Sequence, residues 1–323
     1  MFTSENGHEP SDRITLRFLA APADVTAHGD SVPAGRVLEW IDKAAYACAV
    51  GWARTYCVTA YVGNVHFTRS IRPGALVQVH ARIVYTGRTS MHLLVTVEAS
   101  DVRDRDYSSA MHCMLVFVAV DEDGSPIAVQ PWTPSSATDS ELQQLVADRI
   151  EPRRAIQRAM AAQEYSNAGT TPQTVFRFLA APADANWGGK AHGGTVMRWI
   201  DEAAYACAAS WSSARAVAVY SGGIQFYAPI VIGHIVEVRA RLIHTTTRSM
   251  HISVSVSSGA PGQPLTITTR SMTVFVDVLP TETAANVEPL PLSSTEDRRL
   301  SEHAEELVRL RQTMPALPAS VTH

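Results

Sequence analysis

The sequence predicts an α+β protein built twice over, with two copies of one domain that each curl an antiparallel sheet about a long central helix. Three observations carry this. The octapeptide RFLAAPAD at Arg17–Asp24 returns at Arg177–Asp184, and WIDKAAYACA at Trp40–Ala49 returns as WIDEAAYACA at Trp199–Ala208. In each copy one Ala-rich helical stretch precedes several runs of two-residue alternation. The chain is 323 residues long, which suits two domains better than one.

The offset between copies is 160 at the first block and 159 at the second, so the first copy holds one extra residue within Val25–Glu39. A period of that size is a duplicated domain, not a solenoid repeat of roughly 20–50 residues. Gly35–Ala53 and Gly194–Ser212 are rich in Ala, with Trp and Ile spread around the helical circumference, which predicts helices buried on most sides. Alternation follows at Val77, Val79, Ala81 and Ile83, and again at Val236, Val238, Ala240 and Leu242. Leu93–Val97 and Ile252–Val256 mark a further strand in each copy, and Met111–Val120 and Met272–Val278 another, with Asp123-Gly124 as a turn. Between the copies a helical stretch runs from about Ser140 to Ala162, interrupted near Pro152. A second follows at Glu296–Thr313, which is expected to cover a sheet edge. Pro315–His323 is expected to be loose. These readings divide the chain into 14–132, a linker with helix at 133–174, 175–280, and a C-terminal helix and tail at 281–323.

Composition narrows the function classes. At 46% apolar and 18% charged residues, with a formal charge of −4, the chain has the make-up of a globular protein and no global basic field for nucleic acid. No run of about 18 apolar residues predicts a membrane span. Met1–Asp12 lacks a secretory pattern, and four cysteines without a Cys-x-x-Cys pair fit a reducing, cytoplasmic setting. Cys48 and Cys207 are equivalent positions in the apolar helices and read as packing residues. No phosphate-binding loop or dinucleotide fingerprint occurs, and twelve scattered histidines make no metal-binding pattern.

One segment concentrates chemistry-bearing residues. The approach to the second helix reads Asn186-Trp-Gly-Gly-Lys-Ala-His192-Gly193-Gly194, with Asp201 two turns inside the helix. Glycines at a helix start bring free amide N–H groups close to a ligand at the positive end of the helix dipole. A carboxylate on an apolar helix wall is costly unless paired or used, so Asp42 and Asp201 stand out. Each residue also has a purely structural reading: glycines for close packing, Asn as a cap, Asp bonded to a neighbouring backbone group.

The joint pattern Asn-x6-Gly-Gly-x6-Asp, placed ahead of a strand set, resembles the tandem hotdog-fold acyl-CoA thioesterases. Supporting marks are His-Gly-Gly, Trp-Ile-Asp, a strand reaching Phe226 before Pro229 and Gly233, and Arg-Ser-Met beyond it. The resemblance covers about Leu16–Pro131 and Phe176–Pro280. It implies two hotdog domains pairing as an intrachain pseudo-dimer, each site taking its Asn and glycine amide from one repeat and its acid from the other. Asn186 and Gly193, with His192 and Gly194 at the helix start, then face Asp42. Thr59, where the family often has Thr, joins them; its counterpart is Ala218. The opposite combination is degenerate. Asp201 faces Thr26, which stands in place of Asn186, while Pro33 and Ala34 stand in place of His192 and Gly193.

The expected activity is hydrolysis of acyl-CoA to carboxylic acid and coenzyme A, without metal or cofactor, at one working site per chain. Arg69, Arg72, Arg88, Lys190 and Arg248 are candidates for the coenzyme's phosphates. The resemblance further implies homo-oligomers, trimers of double hotdogs among them; the net charge already argues against a nucleic-acid partner. Two alternatives remain open, a non-catalytic acyl-CoA binding module and a hotdog enoyl-CoA hydratase. The second expects His five residues after an Asp, and no Asp here has one.

Overall fold

The computed structural model describes residues 10–25, 31–166, 168–281 and 283–317. In the first repeat β1 (Arg13–Leu19) leads to α1 (Ala34–Ala53), then β2 (Cys57–Val62), the short β3 (Val65–His66), β4 (Ala75–Thr86), β5 (Ser90–Asp101) and β6 (Ser108–Ala119). Two helices follow, α2 (Ala137–Asp148) and α3 (Ile150–Ala162). The second repeat runs β7 (Gln173–Leu179), α4 (Gly193–Trp211), β8 (Ala216–Phe226), β9 (Ile235–Thr245), β10 (Met250–Gly259) and β11 (Thr266–Asp277), and α5 (Thr295–Gln312) closes the described chain.

The repeated sequence blocks make repeated local structure. In both copies of Ala-Pro-Ala-Asp the proline opens a short 3-10 turn, and the Asp carboxylate accepts the Ala21 or Ala181 N–H at 3.0 and 2.8 Å. Trp52 and Trp211 donate from Nε1 to the carbonyls of Gln130 and Glu288, tying each central helix to the chain that follows its own sheet.

The strands of the described residues form one antiparallel sheet of eleven. Its order is β1-β4-β5-β6-β2-β8-β11-β10-β9-β7, with β3 also paired to β8. The two halves join at Tyr61↔Gln225 and Val62↔Ile224. Each half bends around its own helix. Val77, Val79, Ala81 and Ile83 point inward onto α1, and Val236, Val238, Ala240 and Leu242 onto α4, in one continuous core. Between Ala34 and Val50 only Lys43 of α1 is exposed, the burial its composition predicts.

α2, α3 and α5 correct the sequence reading in three ways. They pack on the outer face of the sheet and do not cover its edges. Leu142 and Val146 of α2 meet Val84, Leu94 and Met114, and Ile156, Met160, Leu300 and Leu307 meet Ile243 and Met272. Among the described residues the edge strands β1 and β7 each pair on one side only. The outer face is apolar enough here to demand a cover, which alternation on the inner face had hidden. Secondly, the helix breaks at Arg149 and not at Pro152. Pro152 is the third residue of α3, inside the first turn, where a missing N–H costs nothing. Thirdly, Pro315–Leu317 is held in place. The Pro315 carbonyl accepts from Arg149, and Leu317 packs on the α2 cluster. The remainder of that tail, 318–323, lies outside the described residues.

Candidate active site

The central helices run antiparallel, and each starts against the flank of the other. Gly194 N–H donates to Asp42 Oδ2 at 2.7 Å, and Gly35 N–H donates to Asp201 Oδ2 at 2.8 Å. Glycine is required at both positions. A Cβ at 35 would lie 2.8 Å from Asp201 Cβ and 2.9 Å from Arg198 Cα, and one at 194 would lie 2.8 Å from Glu39 Cα. Between these two contacts Glu39 is buried and accepts from Arg198 Nε at 3.1 Å, although the two residues occupy equivalent positions of the repeat.

Around Asp42 donors converge from both repeats. The carboxyl is 1% exposed. Thr59 of β2 donates its hydroxyl to Oδ1 at 2.8 Å, and His192 Nδ1 lies 2.8 Å from Oδ2. His192 Nδ1 also lies 3.2 Å from Gly194 N, but a ring nitrogen that points its hydrogen at Asp42 cannot also accept. The Gly194 hydrogen therefore goes to Asp42. Burial pushes the imidazole down. The hydrogen bond and charge of Asp42 outweigh this, Lys43 opposing and Glu39 assisting, and the net direction is upward. His192 Nε2 is buried with no partner among the described residues.

Gly193 is the first residue of α4, and its N–H meets no acceptor among the described residues, as expected for the first turn of a helix. A Cβ there would lie 2.8 Å from Thr59 Oγ1 and 3.1 Å from Asp42 Oδ2. The preceding loop is closed by Asn186, whose Oδ1 accepts from Gly188 N at 2.9 Å and Lys190 N at 3.1 Å. Gly189 sits in the left-handed region at φ 69°, the backbone that glycine adopts most readily. The loop lies on α1 of the other repeat. Trp187, though 79% exposed, stacks on Tyr46 with centroids 5.0 Å apart and planes 3° from parallel. Gly188 abuts Tyr56, whose phenol burial raises and the adjacent Asn186 side chain opposes.

Asp42, Thr59, His192, Gly193 and Gly194 thus meet at one point. Asn186 is in the same loop beside Tyr56, with no bond to Asp42. Tyr46, Tyr56 and Trp187 were missed as neighbours of this point. Tyr46 follows Asp42 by one helical turn, a spacing that could have signalled it.

The pseudo-equivalent point around Asp201 is poorer. Its only hydrogen-bond partner among the described residues is Gly35 N–H, because Ala218 stands where Thr59 does and Pro33 where His192 does. Burial pushes this carboxyl up to about 7, the Gly35 N–H opposing and Glu202 adding. Thr26 lies outside the described residues.

The five basic candidates for coenzyme phosphates are not gathered. Arg69 and Arg72 share the β3–β4 loop, Arg88 and Arg248 occupy equivalent turns in different repeats, and Lys190 is in the Asn186 loop. All are exposed except the half-buried Lys190. Among the described residues no cluster suited to a metal ion occurs, and no helix is long and apolar enough to cross a membrane.

Two sheets fused edge to edge, each wrapped on a helix whose first amides meet a carboxyl of the other repeat, define a double hotdog protein. The chain belongs to the Thioesterase superfamily, whose family pattern matches residues 32–104 and 188–265. It is 32% identical over 129 residues to the acyl-CoA thioester hydrolase YciA of Salmonella typhimurium, covering 39% of this chain and 95% of that protein. It is 29% identical over 124 residues to the cytosolic acyl coenzyme A thioester hydrolase of Rattus norvegicus, covering 38% of this chain but only 32% of that one. In architecture it is similar to a Lactobacillus plantarum structure assigned as an oleoyl thioesterase, with a TM-score of 0.57, 8% identity, 81% of this chain and 95% of that chain covered. This last likeness concerns the fold alone.

Proposed function

We propose that the chain hydrolyses the thioester of acyl-CoA, at one working site built across its two repeats. The observation that carries this reading is the convergence on Asp42 of Thr59 from its own repeat with His192 and Gly194 from the other. Its pseudo-equivalent, Asp201, has one donor among the described residues. The two hotdog units are taken as 14–132 and 175–280, joined by 133–174 and followed by 281–323.

In this mechanism the thioester carbonyl oxygen sits at the Gly193 N–H, with the Asn186 amide as second donor. The Oδ1 bonds of Asn186 to its own loop fix where that amide points. Water that donates to Asp42 and to the Thr59 hydroxyl oxygen, whose own hydrogen stays on Asp42, attacks the carbonyl carbon while Asp42 accepts its proton, and the oxyanion that develops is held by donors already in place. The C–S bond then breaks. Coenzyme A leaves as a thiolate, an adequate leaving group because a free thiol has a pKa of roughly 8.5, and it recovers a proton from Asp42. His192 holds Asp42 in position through Nδ1–H, and in the imidazolium form that Asp42 favours its Nε2 carries a hydrogen to donate toward the sulfur. No step calls for a metal or redox group. Arg88 and Lys190 are the phosphate contacts of choice, since they lie at the strand ends and in the loop next to Tyr56.

Four buried free thiols suit a reducing, cytoplasmic setting. The outward edges of strands β1 and β7 and the exposed Leu19 and Leu179 at their ends favour association of chains, trimers of double hotdogs in our reading, which light scattering tests. The test of activity is thiol release over a range of acyl-CoA lengths. Asp42→Asn is expected to lose about 10²–10⁴-fold in kcat while keeping the parent circular dichroism. Protein that binds acyl-CoA but releases no thiol above background would instead be a binding module.

A further inference from the structure

The outer face of the first repeat carries a feature that hydrolysis does not use. Where α2 turns into α3, a cavity of about 30 Å³ opens between helices and sheet. Its polar pole is formed by Tyr61, His92, Arg149 and Arg153, and its walls include Met114 and Met314. Arg149 and Arg153 are one helical turn apart and half-buried, and burial pulls both guanidinium groups down from their ordinary value, the Tyr61 phenol opposing.

Among the described residues neither arginine has a carboxylate partner. Arg149 donates to the Pro315 carbonyl, and Arg153 lies over the Tyr61 ring at 5.5 Å with its Nε buried and unpaired. Nearby acids are committed elsewhere: Glu151 to Arg154 and Arg158, and Asp148 to Gln144. Tyr61 is 4% exposed and its hydroxyl has no partner among the described residues. His92 is 5% exposed and pushed down to about 3 by burial, then by the Arg153 charge, so it is neutral at physiological pH. Two cations, an orphaned hydroxyl and a neutral imidazole around one space are costly without an anion.

The walls decide what kind of anion. Lined by thioether and aliphatic groups and open on one side, the cavity has room for one carboxylate head but not for a doubly charged, fully hydrated phosphate, and a short apolar tail reaches out through its mouth. We propose that this cavity is a binding site for a small monocarboxylate, its head between Arg149 and Arg153 and its oxygen accepting from the Tyr61 hydroxyl. The site is distinct from the one at Asp42. In β2 the register shifts between Thr59 and Tyr61, so Thr59 pairs with inward-facing Phe117 and Tyr61 with Val116, a wall of this cavity. The bulge turns Thr59 and Tyr61, two residues apart, to opposite faces of the sheet.

The experiment is calorimetric titration of the full chain with sodium butyrate, against sodium chloride and sodium phosphate at matched ionic strength. Butyrate is expected to bind saturably, one per chain, in the parent and equally in Asp42→Asn. Affinity is expected to fall about ten-fold in Arg153→Gln, the loss of one charge-assisted bond, and measurably in Tyr61→Phe, which keeps the ring under Arg153. The unfolding midpoint of each variant in chloride alone confirms that it is folded. Should Arg153→Gln not fold, Tyr61→Phe carries the test. Binding no stronger than chloride, binding of phosphate in preference to butyrate, or butyrate affinity untouched by both variants would each overturn the proposal. So would affinity lost in Asp42→Asn alone, which would put butyrate at the other site.

Discussion

Replacing Asp201 by Asn separates what the two equivalent carboxyls do. Burial holds Asp201 up at about 7 against an ordinary 3.8, a rise of about three units. At 1.36 kcal/mol per unit this is about 4 kcal/mol, an upper figure because structural relaxation reduces such penalties. The folded-state value is the raised one, so from about pH 4 to 7 the folded chain keeps a proton that the unfolded chain has released. Stability therefore falls as pH rises through this window. The cost is absent well below 3.8 and full above about 7. Asn cannot ionise, and its Oδ1 can still accept from Gly35 N–H. At pH 8 Asp201→Asn is expected to exceed the parent by up to about 4 kcal/mol, with the advantage shrinking below about 1 kcal/mol at pH 4. Urea unfolding across that range measures this, as midpoint shifts at constant m. Thiol release should stay within a few-fold of the parent. Parallel stability–pH curves for the two proteins would refute the buried, proton-holding Asp201, and loss of turnover as deep as in Asp42→Asn would refute the assignment of the working half.

Two further expectations follow from packing. Gly35→Ala should cost about 1–3 kcal/mol, because its Cβ would press on Asp201 Cβ and the Arg198 backbone; chemical denaturation reads it, and an unchanged midpoint would mean the helices can separate freely. The thiols should be inert in the folded state. Burial pushes Cys48 and Cys57 up to about 12 and Cys207 to about 11, and raises Cys113 as well. An aromatic disulfide reagent at pH 8 should therefore label slowly, then reach four thiols per chain on unfolding.

The duplication, both central helices and the main strands were legible because each rests on local chemistry that occurs twice. Alternation in β4 and β9 and the Ala-rich runs of α1 and α4 state their period and burial outright. The cover on the outer face was not legible. Val84, Leu94 and Met114 sit on strands whose inner face already explains an apolar sequence, so nothing local marks the second apolar face. At the candidate site the sequence supplied Asp42, Thr59 and His192 as separate residues on three elements. Which of the two carboxyls each would meet came from the family resemblance and not from the residues, because it depends on how the helices cross, and that crossing is made at Gly35 and Gly194. Glu39 and Arg198 were likewise silent in the sequence, since a repeat alignment presents them as a mismatch.

That mismatch shows that the two halves are free to differ at equivalent positions. In a dimer of identical repeats the residue at this position faces its own copy across the axis, so like would meet like. Fusion removes the constraint, and here Glu39 meets Arg198. The same freedom lets Asp42 meet Thr59 and His192 while Asp201 meets neither. Asp201 itself serves a second purpose, accepting the buried Gly35 N–H at the start of α1. An orphaned buried amide costs about 1–3 kcal/mol, so this carboxyl is held by the helix crossing whether or not it takes part in chemistry. Asp201→Ala, which leaves the amide orphaned, should accordingly be less stable than Asp201→Asn by that amount at every pH. A gap between the two that instead opened and closed with pH would mean that the acceptor role is not what retains the residue.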